Sequence, residues 1–214
     1  MISKTYKNNL KRKLTDDSIV KQPLNKKANL VSTFSYDVCL IGTSMIKNIN
    51  ANEIFSNKKC YFKSISGGKI KDILLNLKSN ENLLKNSKCF LITCGSNDVD
   101  SLNDMKTTIN DFLELAQYLH STYESSQFIF NKLIPRTKCR YVSLIDFDKR
   151  RICFNDFLQF TLPLIVPCKI VEHESFENKT LLNDLLADGV HISPSRGLPL
   201  YVDEIKKVLF NLQI

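Results

Sequence analysis

Three residues, far apart along the chain, have the side-chain types of a serine nucleophile and its base. Ser44 follows an apolar run that ends at Ile41, and Asp188 and His191 stand three residues apart near the end of the chain. A serine hydroxyl becomes a nucleophile when an imidazole accepts its proton and a carboxylate holds that imidazole in the right tautomer. Ser44, His191 and Asp188 are therefore a candidate triad for acyl transfer.

The surrounding pattern predicts the elements that would position these residues. Strands are expected over residues 36–41, 60–65, 88–94, 126–133 and 167–172, and helices over 45–55, 69–78, 104–121, 146–164 and 198–212. Such alternation is typical of a parallel sheet covered on both faces. Ligands of open parallel sheets bind outside the carboxyl ends of the strands. Ser44 and Asn97 each follow such an end, so an amide donor and a nucleophile are expected in one crevice.

The order of these groups resembles that of the SGNH, or GDSL-like, hydrolases. Four blocks of that family contribute a nucleophilic Ser, an oxyanion Gly, an oxyanion Asn and a terminal Asp-x-x-His, for which the candidates here are Ser44, Gly67, Asn97, and Asp188 with His191. The resemblance covers roughly residues 35–214. Segments 133–136 and 154–158 are similar to parts of the short SGNH domains encoded by retroelements. The resemblance implies a three-layer α/β/α sandwich with a mainly parallel, flavodoxin-like five-stranded sheet.

The resemblance also implies roles for the remaining groups. The backbone N–H groups of Ser44 and Gly67 and the side-chain amide of Asn97 would form an oxyanion hole. Gly67 has no side chain to block a substrate oxygen, and Gly68 competes for the same role, because one sequence does not settle the register. Arg136 follows a predicted strand end, before a loop expected to be solvated, and can face an anionic substrate group.

One residue departs from the family pattern. The family usually has Gly-Asp-Ser at the nucleophile, and this chain has Thr43 before Ser44. That Asp is thought to brace the turn and carries no proton, so the triad logic survives its replacement. A Thr hydroxyl can still bond the nearby backbone.

Each candidate also has a structural interpretation. Ser44 can cap a helix that begins at the next residue. Asn97 and Asp98 can be turn formers, and Asp98 can cap a short helix. His120 ends an amphipathic helix, where a cation suits the helix dipole, and is interpreted as structural. His173 lies in a polar loop and has no assigned partner.

Cysteine, histidine and apolar patterning limit the function classes. The 214 residues include seven scattered cysteines, most of them in apolar runs, which predicts buried thiols in a reducing compartment. With three histidines and no Cys-x-x-Cys pair, neither a zinc site nor another cofactor is expected. No signal peptide and no apolar run of ~20 residues is visible, so an intracellular protein, cytoplasmic or nuclear, without a membrane span is expected.

The first 34 residues differ in composition from the rest. Up to residue 35 eight basic residues face two acidic ones, a net of +6 out of the formal +8 of the whole chain, which leaves +2 for the remainder. This segment is predicted to be disordered. The clusters Lys11-Arg12-Lys13 and Lys26-Lys27 are typical of a nuclear localisation signal that an import receptor recognises, and equally of loose contacts with nucleic acid. A merely solubilising tail is the third interpretation.

Together these features predict a serine esterase that acts on a small-molecule or lipid acyl ester, in the class of esterases, lipases and deacetylases. The alternative is a catalytically weak or inactive SGNH-fold module that binds nucleic acid or a protein partner. An intact Ser/Gly/Asn/His set favours the enzyme, whereas Thr43 and the basic tail favour binding.

Overall fold

The structure is a computed structural model that describes residues 36–211. The basic tail, with its clusters Lys11-Arg12-Lys13 and Lys26-Lys27, lies outside the described residues. Its disorder, its boundary and its partners therefore stay predictions.

Five parallel strands form one sheet in the described residues. They are β1 (Val38–Thr43), β2 (Cys60–Ile65), β3 (Cys89–Thr93), β4 (Gln127–Asn131) and β5 (Lys169–Val171). Their order across the sheet is β2-β1-β3-β4-β5, and every neighbouring pair is parallel. This is the flavodoxin-like order, and the predicted fold class is confirmed.

In the part of the chain that the structure describes, eight α-helices connect and cover the strands. They are α1 (Ala51–Ile54), α2 (Ile70–Ser79), α3 (Glu81–Leu84), α4 (Ser96–Val99), α5 (Met105–Thr122), α6 (Leu144–Asp156), α7 (Leu182–Leu185) and α8 (Gly197–Phe210). The aspartate before α5 caps it, since the Asp104 carboxylate accepts from Thr107 N at 2.7 Å.

The alternating side chains of the sheet divide the core into two layers. On one face Cys39, Ile41 and Phe90 pack with residues of α2, α5 and α6. On the other face Val38 and Leu40 pack with residues of α8 and of the segment after β1. Both faces of the sheet are therefore covered at its three central strands β1, β3 and β4, which explains why these strands are near-continuous apolar runs.

Two predicted helices differ from the structure, one in extent and one in helix type. Residues 45–55 do not form one helix: a 3-10 turn covers Ser44–Ile46, and α1 begins only at Ala51. The intervening asparagines compete with helical backbone bonds, which explains the break. The segment predicted over 146–164 is helical throughout, but α6 ends at Asp156 and is followed by a π turn, Phe157–Thr161, and by a 3-10 turn that contains Pro163. Proline has no N–H to extend the helix.

Candidate active site

Every candidate residue of the predicted catalytic crevice follows the carboxyl end of a strand. Ser44 follows β1, Gly67 follows β2, Asn97 follows β3, Arg136 follows β4, and the segment with Asp188 and His191 follows β5. Because the strands are parallel, these ends share one edge of the sheet. Sequence positions up to 147 residues apart thus meet in one crevice.

The Ser44 side chain faces His191. Its Oγ lies 3.0 Å from His191 Nε2, and it caps no helix: it is the first residue of the 3-10 turn, whose N-cap is Thr43. The helix-cap interpretation is therefore wrong. Gly42 lets this turn approach β3, because a Cβ at Gly42 would stand 2.6 Å from the carbonyl oxygen of Thr93.

The Thr43 hydroxyl does not brace the turn as expected. It makes no hydrogen bond to another described residue, although Thr43 is buried. Instead Ser64 Oγ on β2 donates to the Thr43 carbonyl at 3.0 Å. The strand β2 therefore supplies the contact that holds the turn.

Asp188 holds His191 by side chain and backbone together. Its Oδ2 lies 2.8 Å from His191 Nδ1, and its Oδ1 accepts the N–H groups of His191 at 2.8 Å and Val190 at 3.0 Å. The backbone N–H and the ring of His191 hold the pKa of Asp188 well below its usual range. An ionised carboxylate at Nδ1 favours the tautomer that leaves the Nε2 lone pair facing Ser44.

The turn that carries this pair is anchored to the loop after β4. Gly189 has φ of +85°, a left-handed conformation that favours glycine. Its carbonyl accepts the N–H groups of Thr137 at 2.9 Å and Lys138 at 3.2 Å. The loops after β4 and β5 therefore form one wall of the crevice.

The geometry distinguishes Gly67 from Gly68. The Gly68 N–H donates to the Ile65 carbonyl at 3.1 Å, which closes the turn after β2. The Gly67 N–H has no partner among the described residues, and a Cβ on Gly67 would meet nothing within 4 Å. Gly67 also lines the crevice beside Ser44. These contacts favour Gly67 over Gly68 as the donor.

Asn97 is oriented by the residue that was expected to bind substrate. Its Oδ1 accepts from Arg136 at 3.1 Å, and its Nδ2 donates to the Gly68 carbonyl at 3.0 Å. Because an arginine can only donate, it fixes which end of the amide is oxygen. One N–H of Asn97 then remains to donate to a ligand in the crevice.

Arg136 differs in burial from the sequence-based expectation. Its side chain is 4% exposed and pairs with Asp100 at 3.1 Å. Asp100 also accepts the backbone N–H groups of Arg140 and Tyr141, at 3.0 and 3.1 Å. The Arg136 charge is thus compensated within the protein, and this arginine supports the loop and Asn97.

Searches against known structures found close folds at low sequence identity. A GDSL-like lipase from Bacteroides thetaiotaomicron superposes with a TM-score of 0.70 at 17% identity, covering 84% of this chain and 89% of the lipase. The catalytic domain of peptidoglycan O-acetyltransferase A from Streptococcus pneumoniae gives 0.58 at 17% identity, covering 84% and 96%. A carbohydrate esterase family 3 protein from Talaromyces cellulolyticus also gives 0.58 at 17%, covering 82% and 96%.

The chain has the SGNH hydrolase fold. No protein-family model and no curated protein sequence matches it. The likeness is therefore one of structure, as expected where identity is this low.

The crevice of this SGNH fold has a volume of about 450 Å³. Ser44, Gly67, Asn97, Arg136 and His191 all line it. A larger groove of about 710 Å³ beside α8 has one serine and no histidine among its lining residues. The chemistry of the side chains therefore selects the smaller crevice as the candidate site.

Cys139 also lines the crevice, but burial raises the pKa of its thiol to about 11. It stays protonated at neutral pH and does not compete with Ser44 as a nucleophile.

The seven cysteines are free thiols; three are buried, three half-buried, and Cys153 is exposed, against the expectation of burial.

Asp98 holds the end of the loop after β2 in place through a buried hydrogen bond. Its buried carboxylate accepts the N–H of Ile70 at 3.2 Å, so it caps the first turn of α2 and not its own short helix. Burial raises the pKa of Asp98 to about 6. The neighbouring Gly67 is thereby tied to the position of α4, which also carries Asn97.

The other two histidines have different environments. His120 lies exposed in the last turn of α5, as predicted. His173 is buried and does have partners, Glu204 and Asn131, which the sequence did not indicate.

Within residues 36–211, no cluster of three potential metal ligands occurs, and no helix is long and apolar enough to cross a membrane.

Proposed function

We propose that this protein is a serine hydrolase that cleaves carboxylic esters by acyl transfer, with Ser44 as nucleophile, His191 as base and Asp188 as the residue that orients His191. The observation that carries the proposal is the continuous hydrogen-bond chain from Asp188 to His191 to Ser44, with links of 2.8 and 3.0 Å, at the wall of an open crevice. These distances are within reach for direct proton transfer.

In the first half-reaction Ser44 Oγ bonds to the acyl carbon while its proton passes to His191 Nε2. The carbonyl oxygen becomes an oxyanion, which the N–H groups of Ser44 and Gly67 and the Asn97 amide stabilise. His191 then returns the proton to the departing alcohol as its C–O bond breaks. Water repeats the sequence on the acyl-enzyme and releases the acid.

Labelling tests the nucleophile directly. A fluorophosphonate probe should label the protein at Ser44, and short-chain p-nitrophenyl esters should be cleaved. Ser44→Ala should abolish both while the melting temperature stays close to wild type. Ser66→Ala is the matched control, because Ser66 lines the same crevice but has no histidine partner. In this variant the probe should still label Ser44.

The proposal fails if wild-type protein shows no labelling and only background cleavage over a broad ester panel. That result would favour the binding module that lacks turnover. Labelling that persists in Ser44→Ala would place the nucleophile elsewhere.

A further inference from the structure

Three cationic side chains line the crevice without a carboxylate partner among residues 36–211. Lys69 lies in the loop after β2, and Lys138 and Arg140 lie in the loop after β4; all three are exposed. Arg140 rests on the ring of Tyr141, 5.2 Å from its centroid. Because β1 and β3 separate β2 from β4 in the sheet, these cations flank Ser44 and Asn97 from two sides.

The acidic groups near the crevice are already engaged. Asp100 pairs with buried Arg136 and accepts two backbone N–H groups. Asp188 accepts from His191 through both oxygens. Four cations line the crevice against the carboxylates of Asp100 and, behind His191, Asp188, so its net charge is +2. That equals the whole formal charge left for the chain beyond residue 35, +8 less +6.

Such an excess acts on ligands. A cleft lined by one sign of charge focuses the field and raises the local concentration of the opposite charge. Lysine and arginine are also the side chains that bind phosphate and carboxylate groups through charged hydrogen bonds.

We propose that the crevice selects esters that carry an anionic group, a phosphate or a carboxylate, next to the scissile bond, and that Lys69, Lys138 and Arg140 bind this group. The inference rests on the proposed ester hydrolysis at Ser44. It also replaces Arg136, the arginine expected from the sequence, with three cations whose charge is not compensated inside the protein.

Matched ester pairs test the selectivity. For an anion on the acyl side, 4-nitrophenyl hydrogen adipate is compared with its neutral methyl ester. For an anion on the alcohol side, 1-acetylglycerol 3-phosphate is compared with 1-acetylglycerol, with release of acid followed in a pH-stat. The readout is the ratio of kcat/KM for the anionic ester to that for the neutral one, in each pair.

At low ionic strength the ratio should exceed about tenfold in at least one pair, and the pair that shows it identifies the side that carries the anion. The ratio should fall at least about fivefold at high salt, because exposed charges are screened. In the variant K69Q/K138Q/R140Q the ratio should fall to about one.

The variant K58Q/K85Q/K169Q is the matched control. It removes the same number of charges from exposed lysines at or just before the amino ends of β2, β3 and β5, at the opposite edge of the sheet. Its ratio should stay at the wild-type value, and thermal melting should show both variants folded.

The possible failures are distinguishable. Ratios of about one in both wild-type pairs, or a preference that persists in K69Q/K138Q/R140Q, would overturn the anion site while leaving ester hydrolysis intact. No turnover of any of the four esters, together with no fluorophosphonate labelling, would overturn the hydrolase and the anion site together.

Discussion

Two histidines in this protein make the same pair of contacts in opposite surroundings. His191 has a carboxylate 2.8 Å from Nδ1 and an oxygen 3.0 Å from Nε2, contributed by Asp188 and Ser44. His173 has a carboxylate 2.9 Å from Nδ1 and an oxygen 3.0 Å from Nε2, contributed by Glu204 and Asn131. Distances alone do not separate a candidate catalytic histidine from a structural one.

Exposure and the identity of the second oxygen do separate them. The His191 side chain is 26% exposed and faces a hydroxyl, whereas His173 is 2% exposed, faces an amide oxygen and stacks on the Tyr201 ring at 4.1 Å. Burial lowers the pKa of His173, and Glu204 opposes the shift. A nucleophile requires a hydroxyl that a substrate can reach, so only His191 is placed for acyl transfer.

The buried histidine joins elements instead. Asn131, at the end of β4, also donates to Thr93 Oγ1 at 2.8 Å, and Glu204 lies on α8. His173 therefore links the ends of β3, β4 and β5 to that helix. The comparison teaches that one hydrogen-bond pattern can join a histidine to a reachable hydroxyl at a crevice and can also hold elements together inside the core.

The largest effect is expected when the histidine of the crevice alone is replaced. His191→Ala should lower kcat/KM for ester hydrolysis by at least about 10³-fold, because Ser44 loses its base, with little change in melting temperature. The same change in a Ser44→Ala background should cost almost nothing further, as residues acting as a unit are not additive. Wild-type activity in His191→Ala would contradict the assignment. Asp188→Asn should be milder than either loss.

The oxyanion donor should have the next largest effect. Asn97→Ala should lower kcat by about 100- to 1000-fold, and Asn97→Asp by at least as much, because a carboxylate repels the oxyanion. Steady-state kinetics on a p-nitrophenyl ester measure both. Asn82→Ala, an exposed asparagine on α3, is the control. A loss below about threefold would remove Asn97 from the mechanism.

Replacing the buried histidine should lower the stability of the protein and leave turnover unchanged. His173→Ala should lower the free energy of unfolding by about 1–3 kcal/mol, because it leaves buried polar partners unsatisfied. Turnover per folded molecule should stay near wild type. Chemical denaturation and active-site titration with the fluorophosphonate separate the two quantities, and His120→Ala is the exposed control. A loss of turnover without a loss of stability would mean that His173 takes part in the chemistry.

The role of Arg136 can be separated from substrate binding. If it acts by orienting Asn97, Arg136→Met should lower kcat about tenfold with little change in KM, and should also reduce stability because Asp100 loses its partner. A raised KM for anionic esters with unchanged kcat would instead restore the substrate-binding role that the sequence predicted. Kinetics on both esters of one matched pair decide between them.

The smallest effect concerns the acid limb of the pH profile. The pKa of Asp188 is held well below its usual range, so this carboxylate stays ionised as the pH falls and its protonation adds no second step to the acid limb. The logarithm of kcat/KM should therefore fall with a slope of about one per pH unit until the protein unfolds. A slope near two above pH ~4 would mean that Asp188 titrates as well.

The sequence by itself determined the elements and the local contacts. Apolar runs and turn residues predicted the five strands and most helices, and the spacing of Asp188 and His191 allowed their contact, because residues three apart on one turn meet whatever the rest of the chain does. Because Ser44, Gly67 and Asn97 each follow a predicted parallel strand, the sequence also predicted that they would meet at the carboxyl ends of the strands.

Only the tertiary structure decided the contacts between distant segments. The sequence did not show that the Gly68 N–H closes a turn while the Gly67 N–H stays without a partner in the described residues. It also did not show that Arg136 is buried against Asp100 and Asn97. The contact of His173 with Glu204, a carboxylate 31 residues away, was not visible either. Such contacts depend on how strands align and how loops pack across the sheet edge. Local patterning carries no information about that alignment, since a side chain's pairing and burial are set by neighbours that other strands bring to it.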